Sequence, residues 1–323
     1  MNTRCFQRHL SLPPHPARPV PLPSPMEAHL WCVVPQEVKS LSLLNEYMKI
    51  LSPCEQENVL SFRGEELQKS ALLARALVRT TIARYMLSVD HKDPQVDPKS
   101  FKFKKNIYGK PEVDWQQPDG QSPPPLHFNV SHTSSLIACG VSLNSHIGID
   151  VEEKGRVMKS DVLSFSQRFF CPDEVEHLAA ISDSRCQRQE FIKLWTLKEA
   201  YVKALGRGFS AAPFDSFSIH YEYPVTSRSG PYLVGSKVPE ISVQTVDKTS
   251  LTSNWHFALM ELAGAHYAAI CLEKANTVEG KEESPMNLVV WKTIPFSEDV
   301  CLSGTTEVVT ICGSVKQSRP DYC

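Results

Sequence analysis

Apolar and polar positions follow two different periods along this chain, and these periods predict a mixture of helices and strands. Good helix formers fill residues 65–87, and apolar residues recur at helical spacing over residues 189–205 before a Gly-Arg-Gly sequence. The segments predicted to be strands are short, at 30–34, 101–105, 126–132, 136–139, 146–151, 217–220, 255–259 and 266–271. Each half of the chain therefore combines a long helix with short strands, which predicts an α+β fold.

One predicted strand carries two acidic residues on the same face. Asp150 and Glu152 stand two positions apart in the sequence Ile-Gly-Ile-Asp-Val-Glu, and side chains two apart on a strand point the same way. The turn at Asn144-Ser145 predicts that this strand returns antiparallel to residues 136–139, with the carboxylates at the end of a hairpin. Acidic residues at a strand end are usually solvated, so this pair alone does not define a site.

The helix predicted over residues 189–205 carries a second polar pair. Glu199 and Lys203 are four positions apart, so they lie on the same side of the helix. Such a pair is usually a surface ion pair. Together with the two strand carboxylates, however, it could hold a divalent cation and a phosphate, which favours phosphoryl-transfer chemistry.

Four short segments carry a resemblance to a known family. They are Gly-Lys-Pro at 109–111, Phe-Asn-Val-Ser-His at 128–132, Gly-Ile-Asp-Val-Glu at 148–152 and Trp-Thr-Leu-Lys-Glu-Ala-Tyr-Val-Lys at 195–203. In this order they resemble the Sfp type of the 4′-phosphopantetheinyl transferase superfamily, including its eukaryotic members related to lysine biosynthesis. The resemblance covers roughly residues 30–273. It implies two similar subdomains, 26–140 and 141–273, with antiparallel sheets and helices related by a pseudo-twofold and the active site between them.

The resemblance also implies an activity. The chain would transfer the 4′-phosphopantetheine group of coenzyme A to a serine of an apo acyl carrier protein and release 3′,5′-ADP. The implied Mg²⁺ ligands are Asp150, Glu152 and Glu199. Glu199 would also take the serine proton, directly or through a metal-bound water, and Lys203 would offset charge on the transferred phosphate. The implied coenzyme A contacts are Arg75, Lys110, Ser131, His132, Lys198 and Lys203.

Two arginines of the first long helix leave two explanations open. Arg75 and Arg79 lie one turn apart, where like charges repel mildly, so an anion between them would explain the spacing. Salt bridges to Glu65 or Glu66 explain it at least as well from the sequence alone. The resemblance favours the anion, because matching basic residues in the family line the coenzyme A pocket.

Composition fits a soluble enzyme and argues against some function classes. The 323 residues carry a formal net charge of −2, which gives no indication of bulk nucleic-acid binding. No apolar run approaches the ~20 residues that a membrane helix needs. The ten cysteines contain no Cys-x-x-Cys pair, which predicts free thiols in a reducing compartment. We expect a monomer, because two subdomains already provide both halves of the site.

The two ends of the chain differ from the rest. Residues 1–25 contain arginine, serine and proline but no acidic residue, which is typical of an organelle transit peptide. We expect this segment to be disordered and to direct mitochondrial import, with a plastid, or a cytosolic form starting at Met26, as alternatives. A mitochondrial acyl carrier protein is then the expected partner. The polar composition of residues 274–323 predicts an irregular, loosely packed extension.

Three other hypotheses about function are weighed against the transferase. A different metal-dependent phosphotransferase or hydrolase would use the same carboxylates, but it would consume coenzyme A without a carrier protein. An inactive carrier-binding homologue is opposed by the intact Asp150, Glu199 and Lys203. A purely structural α+β protein would leave the paired motifs unexplained.

Overall fold

Two β-sheets pack face to face in this protein, and helices cover their outer faces. The computed structural model describes residues 19–89, 96–115, 125–158, 160–221, 240–245, 254–274 and 285–320. The helices are α1 (Leu41–Lys49), α2 (Pro53–Ser61), α3 (Glu65–Val89), α4 (Val162–Phe169), α5 (Pro172–Ala179), α6 (Ser184–Leu205) and α7 (Gly208–Ala211). The strands are β1 (Glu27–Val33), β2 (Phe103–Lys105), β3 (Pro111–Val113), β4 (Leu126–His132), β5 (Ile137–Leu143), β6 (Ile147–Glu153), β7 (Phe217–Tyr221), β8 (Ile241–Thr245), β9 (Trp255–Leu262), β10 (His266–Glu273), β11 (Met286–Ile294), β12 (Glu298–Cys301), β13 (Val308–Cys312) and β14 (Val315–Gln317).

The first sheet has the strand order β12-β11-β1-β5-β4, with β14 beside β11. Its strand β1 runs antiparallel to β5 and parallel to β11. Alternate side chains of β1 face opposite sides of the sheet, as the period of a strand requires. Trp31 joins the core under α3 together with Leu77, whereas Leu30 faces the second sheet.

The second sheet consists of four antiparallel strands in the order β13-β9-β10-β6. Helix α6 lies across its outer face, where Leu197 and Tyr201 pack against Phe257. The inner faces of both sheets share an apolar core that includes Ile149 and Ile270. The layers are therefore helix, sheet, sheet and helix, which buries both faces of each sheet.

The two halves of the chain repeat one topology. The segment β1–α3–β4–β5 gives the strand order β1-β5-β4, and the segment β6–α6–β9–β10 gives β6-β10-β9. Each half also inserts a two-stranded ribbon, β2–β3 or β7–β8, between the long helix and the hairpin. The predicted α+β fold with two similar subdomains is confirmed.

The hairpin predicted from the turn at Asn144-Ser145 is wrong. Strand β6 does not pair with β5; it crosses to the second sheet and pairs antiparallel with β10 along its whole length. The boundary predicted between 140 and 141 therefore falls inside β5. The two strands cross closely, since a Cβ on Gly140 would lie 2.5 Å from Ile149 Cγ2. Ile147 and Ile149 of β6 pack face to face against the first sheet, so β6 does not lie beside β5 within that sheet.

The irregular extension predicted for residues 274–323 is wrong for the part that the structure describes. Strand β11 pairs in parallel with β1, and β13 pairs antiparallel with β9, so the tail extends both sheets. Met286, Leu288 and Val290 are buried between the sheets. Their period-two spacing is a strand pattern, which the polar average of the whole tail conceals.

The disorder predicted for residues 1–25 is wrong for the last residues of that segment. Val20 is buried in the core under α3, and its N–H donates to the carbonyl oxygen of Arg84 at 3.3 Å. Leu22 packs against the same core. Residues 19–25 therefore contact the folded body, whereas residues 1–18 lie outside the described residues and the transit peptide stays a prediction.

Two further expectations concern the chain as a whole. Within the described ranges, no helix is both long and apolar enough to cross a membrane. The cysteines that the structure describes are free thiols, as predicted: Cys32, Cys54, Cys139, Cys171, Cys186, Cys271, Cys301 and Cys312.

Candidate functional site

Asp150 and Lys203, two of the predicted site residues, meet Ser131 where β4, β6 and α6 come together. Lys203 Nζ lies 2.6 Å from Asp150 Oδ1 and 3.2 Å from Ser131 Oγ. The Ser131 hydroxyl donates to the same Asp150 oxygen at 2.8 Å. Three residues from three separate elements are thus joined by charge-assisted hydrogen bonds, which are stronger than bonds between neutral groups.

A glycine allows α6 to lie directly on β6. A Cβ on Gly148 would lie 2.0 Å from the carbonyl oxygen of Ala200 and 2.2 Å from the backbone nitrogen of Ala204. Because glycine has no Cβ, the helix backbone approaches the strand closely enough for Lys203 to reach Asp150. The helix then ends at Gly206, whose φ of 66° is the left-handed conformation that glycine adopts without strain.

The side chains of β4 cover the open edge of β6. Asn129 Oδ1 accepts a hydrogen bond from the Ile149 N–H at 2.9 Å, and Ser131 Oγ accepts one from the Val151 N–H at 3.3 Å. These two residues alternate along β4, so both point toward β6. These side-chain hydrogen bonds take the place of the backbone bonds that a neighbouring strand would make, and they join the two subdomains at the site. The sequence analysis did not assign Asn129, although its spacing from Ser131 was the available signal.

Burial and like charge disfavour ionisation of two of the carboxyl groups. Burial, assisted by the charge of Asp150, raises the pKa of Glu152 to about 7. Burial also raises the pKa of Glu199, while the Lys203 ammonium partly opposes that rise. Asp150 Oδ2 is buried and has no hydrogen-bond partner among the described residues. An unpartnered buried carboxylate oxygen next to two further acidic groups is suited to a cation.

The donor set fits a hard cation, but the three carboxylates have not converged. In the part of the chain that the structure describes, no three His, Cys, Asp or Glu side chains lie close enough to hold a metal ion. Two of the three carboxylates are paired with cationic side chains of the protein: Lys203 holds Asp150, and Arg156 Nη1 lies 2.5 Å from Glu152 Oε1. The sequence analysis missed Arg156, because a turn residue gives no periodic signal.

Lys198 is not at the site, and its predicted role as a phosphate contact is wrong. Its side chain is fully buried on the opposite side of α6. Nζ donates to the carbonyl oxygens of Phe214 at 2.8 Å and Phe217 at 2.5 Å, and it lies 2.9 Å from Glu174 Oε2. All three N–H donors of the ammonium are therefore used within the protein. Consecutive helical residues point in different directions, so the neighbour of Glu199 faces the core.

The two arginines of α3 have different surroundings. Arg79 is buried and donates to Glu55 Oε2 at 2.6 Å, so its partner is neither an anion between the arginines nor Glu65 or Glu66. Arg75 lies at a cavity of about 330 Å³, and burial lowers its pKa. The cavity has a largely apolar wall and also carries two basic, one acidic and one amide side chain; its lining residues are Ala74, Val78, Phe103, Pro111, Phe128, Val130, Arg75, Lys105, Glu55 and Asn129.

Lys110 and His132 flank the site. Lys110 Nζ donates to the carbonyl oxygens of Lys203 at 2.8 Å and Ile147 at 3.1 Å, and burial lowers its pKa to about 8. Two of its three donors are thus used by the end of α6 and the start of β6, and phosphate contact through the third stays a prediction. His132 is exposed at the end of β4, and its pKa is lowered by partial burial and by the charge of Lys203.

Fold and site together define a class of protein: an α+β enzyme built from two topologically repeated halves, with an acidic site and a lysine where the halves meet. Comparison with known sequences identifies the family. The sequence model of the 4′-phosphopantetheinyl transferase superfamily matches residues 146–270, and that of the 4′-phosphopantetheinyl transferase N-terminal domain matches residues 39–143. The chain belongs to the 4′-phosphopantetheinyl transferase superfamily.

Individual relatives agree with this assignment. The 4′-phosphopantetheinyl transferase Sfp of Bacillus subtilis (strain 168) is 34% identical over 173 residues, which are 54% of this chain and 67% of the relative. The 4′-phosphopantetheinyl transferase HetI of Nostoc sp. (strain PCC 7120) is 32% identical over 184 residues, 57% of this chain and 70% of the relative. The solved holo-acyl-carrier-protein synthase (AcpS) of Thermotoga maritima aligns with 54% of this chain and 98% of its own length. The sequence identity is 19% and the TM-score is 0.28, so this likeness is weak.

Proposed function

We propose that this chain transfers the 4′-phosphopantetheine group of coenzyme A to a serine hydroxyl of an apo acyl carrier protein, with Mg²⁺ as cofactor. The reaction forms a phosphodiester with the serine oxygen and releases 3′,5′-ADP. One observation carries the proposal: Asp150 Oδ2 is buried without a hydrogen-bond partner among the described residues, beside the acidic groups of Glu152 and Glu199. Family membership supplies the substrate class.

The three carboxylates would hold the cation. Asp150, Glu152 and Glu199 offer the oxygen ligands that Mg²⁺ prefers, and bound Mg²⁺ would neutralise charge on the pyrophosphate. Lys203 has a separate task. Its ammonium is fixed by Asp150 and Ser131, so a positive charge is already positioned where negative charge develops on the transferred phosphoryl group.

Glu199 is the proposed acceptor of the serine proton. A general base works best when its pKa is close to the working pH, and burial shifts the pKa of Glu199 upward from the range of an exposed glutamate. Its side chain lies on the same side of α6 as Lys203, one turn earlier. The base and the charge-neutralising lysine are thus held in register by one helix.

The cavity beside Arg75 is the proposed site for the nucleotide end of coenzyme A. Its apolar wall suits a flat purine ring, and the guanidinium of Arg75 with the ammonium of Lys105 suits a phosphate. Asn129 lies on the wall of this cavity and also bonds to β6, the strand that carries Asp150 and Glu152. His132 lies exposed at the end of β4 and would contact the phosphates. The buried Ser131 hydroxyl is instead fully used by Asp150, Lys203 and Val151, so the phosphate contact predicted for it is not supported.

The proposed cell compartment and the proposed carrier rest on the amino-terminal segment alone. The acid-free composition of residues 1–25 supports mitochondrial import and a mitochondrial carrier protein, with a plastid as the alternative. A cytosolic form starting at Met26 would lack Val20, which is buried in the core under α3, so we expect that form to be less stable. A monomer is proposed because both repeated halves are present in one chain.

The decisive experiment measures the intact mass of apo acyl carrier protein after incubation with this protein, coenzyme A and Mg²⁺. We expect a gain equal to phosphopantetheine, which is lost with EDTA and in Glu199→Gln. Glu176→Gln is the matched control, because Glu176 is an exposed glutamate on α5 away from the site. Coenzyme A consumption without a carrier would indicate a hydrolase instead. No mass gain with mitochondrial, plastid and cytosolic carriers would contradict the proposal.

A further inference from the structure

Arg156 stands between an acidic residue of the site and an aromatic residue of α6. It lies in the turn after β6, where its guanidinium pairs with Glu152 at 2.5 Å. The guanidinium carbon is 5.7 Å from the ring centroid of Trp195, within the range of a cation–π contact. The carboxylate of Glu152 is thus occupied by a cation that belongs to the protein.

The two cations of the site are not equally free to move. Lys203 is 27% exposed and is also bonded to Ser131, so it is fixed beside Asp150. Arg156 is 46% exposed, whereas its partner Glu152 is 16% exposed. The half-exposed guanidinium already contacts water, so it can leave Glu152 while its charge stays hydrated. Arg156 is therefore the cation that can leave.

We propose that Arg156 is a positioning residue that occupies Glu152 until a divalent cation displaces it, so that this ion pair limits the cation affinity of the site. The inference rests on the proposed function, because it takes Asp150, Glu152 and Glu199 as the cation ligands. Arg156 also lines a cavity of about 240 Å³ together with Val157, Met158, Ser160, Phe165, Phe191 and Trp195.

The test measures cation binding without turnover. Free Mn²⁺ is measured by electron paramagnetic resonance in titrations of the full chain, with no coenzyme A and no carrier protein present. A pH of about 8.5 keeps Glu152 ionised, so that differences reflect the ion pair rather than protonation. The variants are Arg156→Gln and Arg156→Lys. Lys154→Gln is the matched control, because Lys154 lies in the same turn but pairs with Glu261 at 2.7 Å.

Arg156→Gln should bind Mn²⁺ about three- to tenfold more tightly than the wild type, which is the scale of a weak ion pair. Arg156→Lys keeps the positive charge and should remain within about twofold of the wild type, as should Lys154→Gln. In a Glu152→Gln background, Arg156→Gln should give no further gain, because the pair is already broken.

Two results would overturn the inference in different ways. Equal or weaker Mn²⁺ binding by Arg156→Gln, with Mn²⁺ bound by the wild type, would show that Arg156 does not compete with the cation. The proposed function would survive that result, and a loss of coenzyme A affinity in the same variant would assign Arg156 to phosphate instead. Absence of Mn²⁺ binding by both the wild type and Arg156→Gln would overturn the inference, whereas the carrier-mass assay with Mg²⁺ tests the proposed function separately.

Discussion

Gly148→Ala tests whether the close contact between β6 and α6 builds the site. The added Cβ would lie 2.0 Å from Ala200 O and 2.2 Å from Ala204 N, whereas Cβ atoms essentially never approach such atoms within 3.0 Å. The helix must therefore move away by about 1 Å, because backbone atoms cannot rotate out of the way as side chains do.

The magnitude follows from this displacement. Overpacking of a protein interior costs about 1–3 kcal/mol, and a clash with the backbone of two residues of α6 belongs at the upper end. Alanine also lowers the conformational entropy of the unfolded chain, which raises the free energy of unfolding by about 0.4–1 kcal/mol. We expect a net loss of about 2 kcal/mol in the free energy of unfolding. Because Glu199 and Lys203 move with α6, activity of the folded fraction should fall about 100-fold.

The assay combines urea unfolding, followed by tryptophan fluorescence, with the carrier-mass assay under folded conditions. Gly155→Ala is the matched control for stability, since nothing lies within 4 Å of its added Cβ. Its free energy of unfolding should change by less than about 0.5 kcal/mol. A free energy of unfolding of Gly148→Ala within about 0.5 kcal/mol of the wild type, together with full activity, would refute this role of the close contact.

Three further predictions use other parts of the structure. Burial raises the pKa of Glu152 from 4.5 to about 7, so the folded state binds more protons between these values and stability falls as pH rises through that window. In EDTA, Glu152→Gln should reduce this loss in the free energy of unfolding by up to about 3 kcal/mol across the window. Urea midpoints with the same pH profile in the variant and the wild type would contradict this expectation. Lys198→Met leaves the buried Glu174 without its cationic partner and should lower the free energy of unfolding in urea by about 3–5 kcal/mol. An unchanged urea midpoint with a raised KM for coenzyme A would instead support a contact between Lys198 and a phosphate. Truncation after residue 274 removes β11 from the edge of β1 and should abolish cooperative unfolding in circular dichroism, whereas a cooperative transition would show that the tail is dispensable.

The elements that carry the site could be predicted because their signals are local. The long helix predicted over 189–205 is observed as α6, Ser184–Leu205, and the strand predicted over 146–151 is observed as β6, Ile147–Glu153. Helical spacing fixed Glu199 and Lys203 on one side, and strand spacing fixed Asp150 and Glu152 on one face. The family resemblance then indicated which of these groups belong together.

The partners of those elements could not be predicted. Period-two spacing says that a strand has two faces, but it does not say which strand lies beside it, so β6 was assigned to β5 although it pairs with β10. For the same reason the sequence did not predict the position of β11, which pairs with β1 although the two strands lie far apart in the chain.

The sequence by itself determined the family, the secondary structure of the site and the type of chemistry, since these depend on residues close together in the chain. The tertiary structure decided how each side chain is used. In the folded chain Lys198 points into the core and pairs with Glu174, and Arg156 pairs with Glu152. Ser131 of the first sheet forms a hydrogen bond with Asp150 of the second sheet. These contacts join residues that are separate in sequence, and their formation depends on how the layers pack rather than on any local pattern.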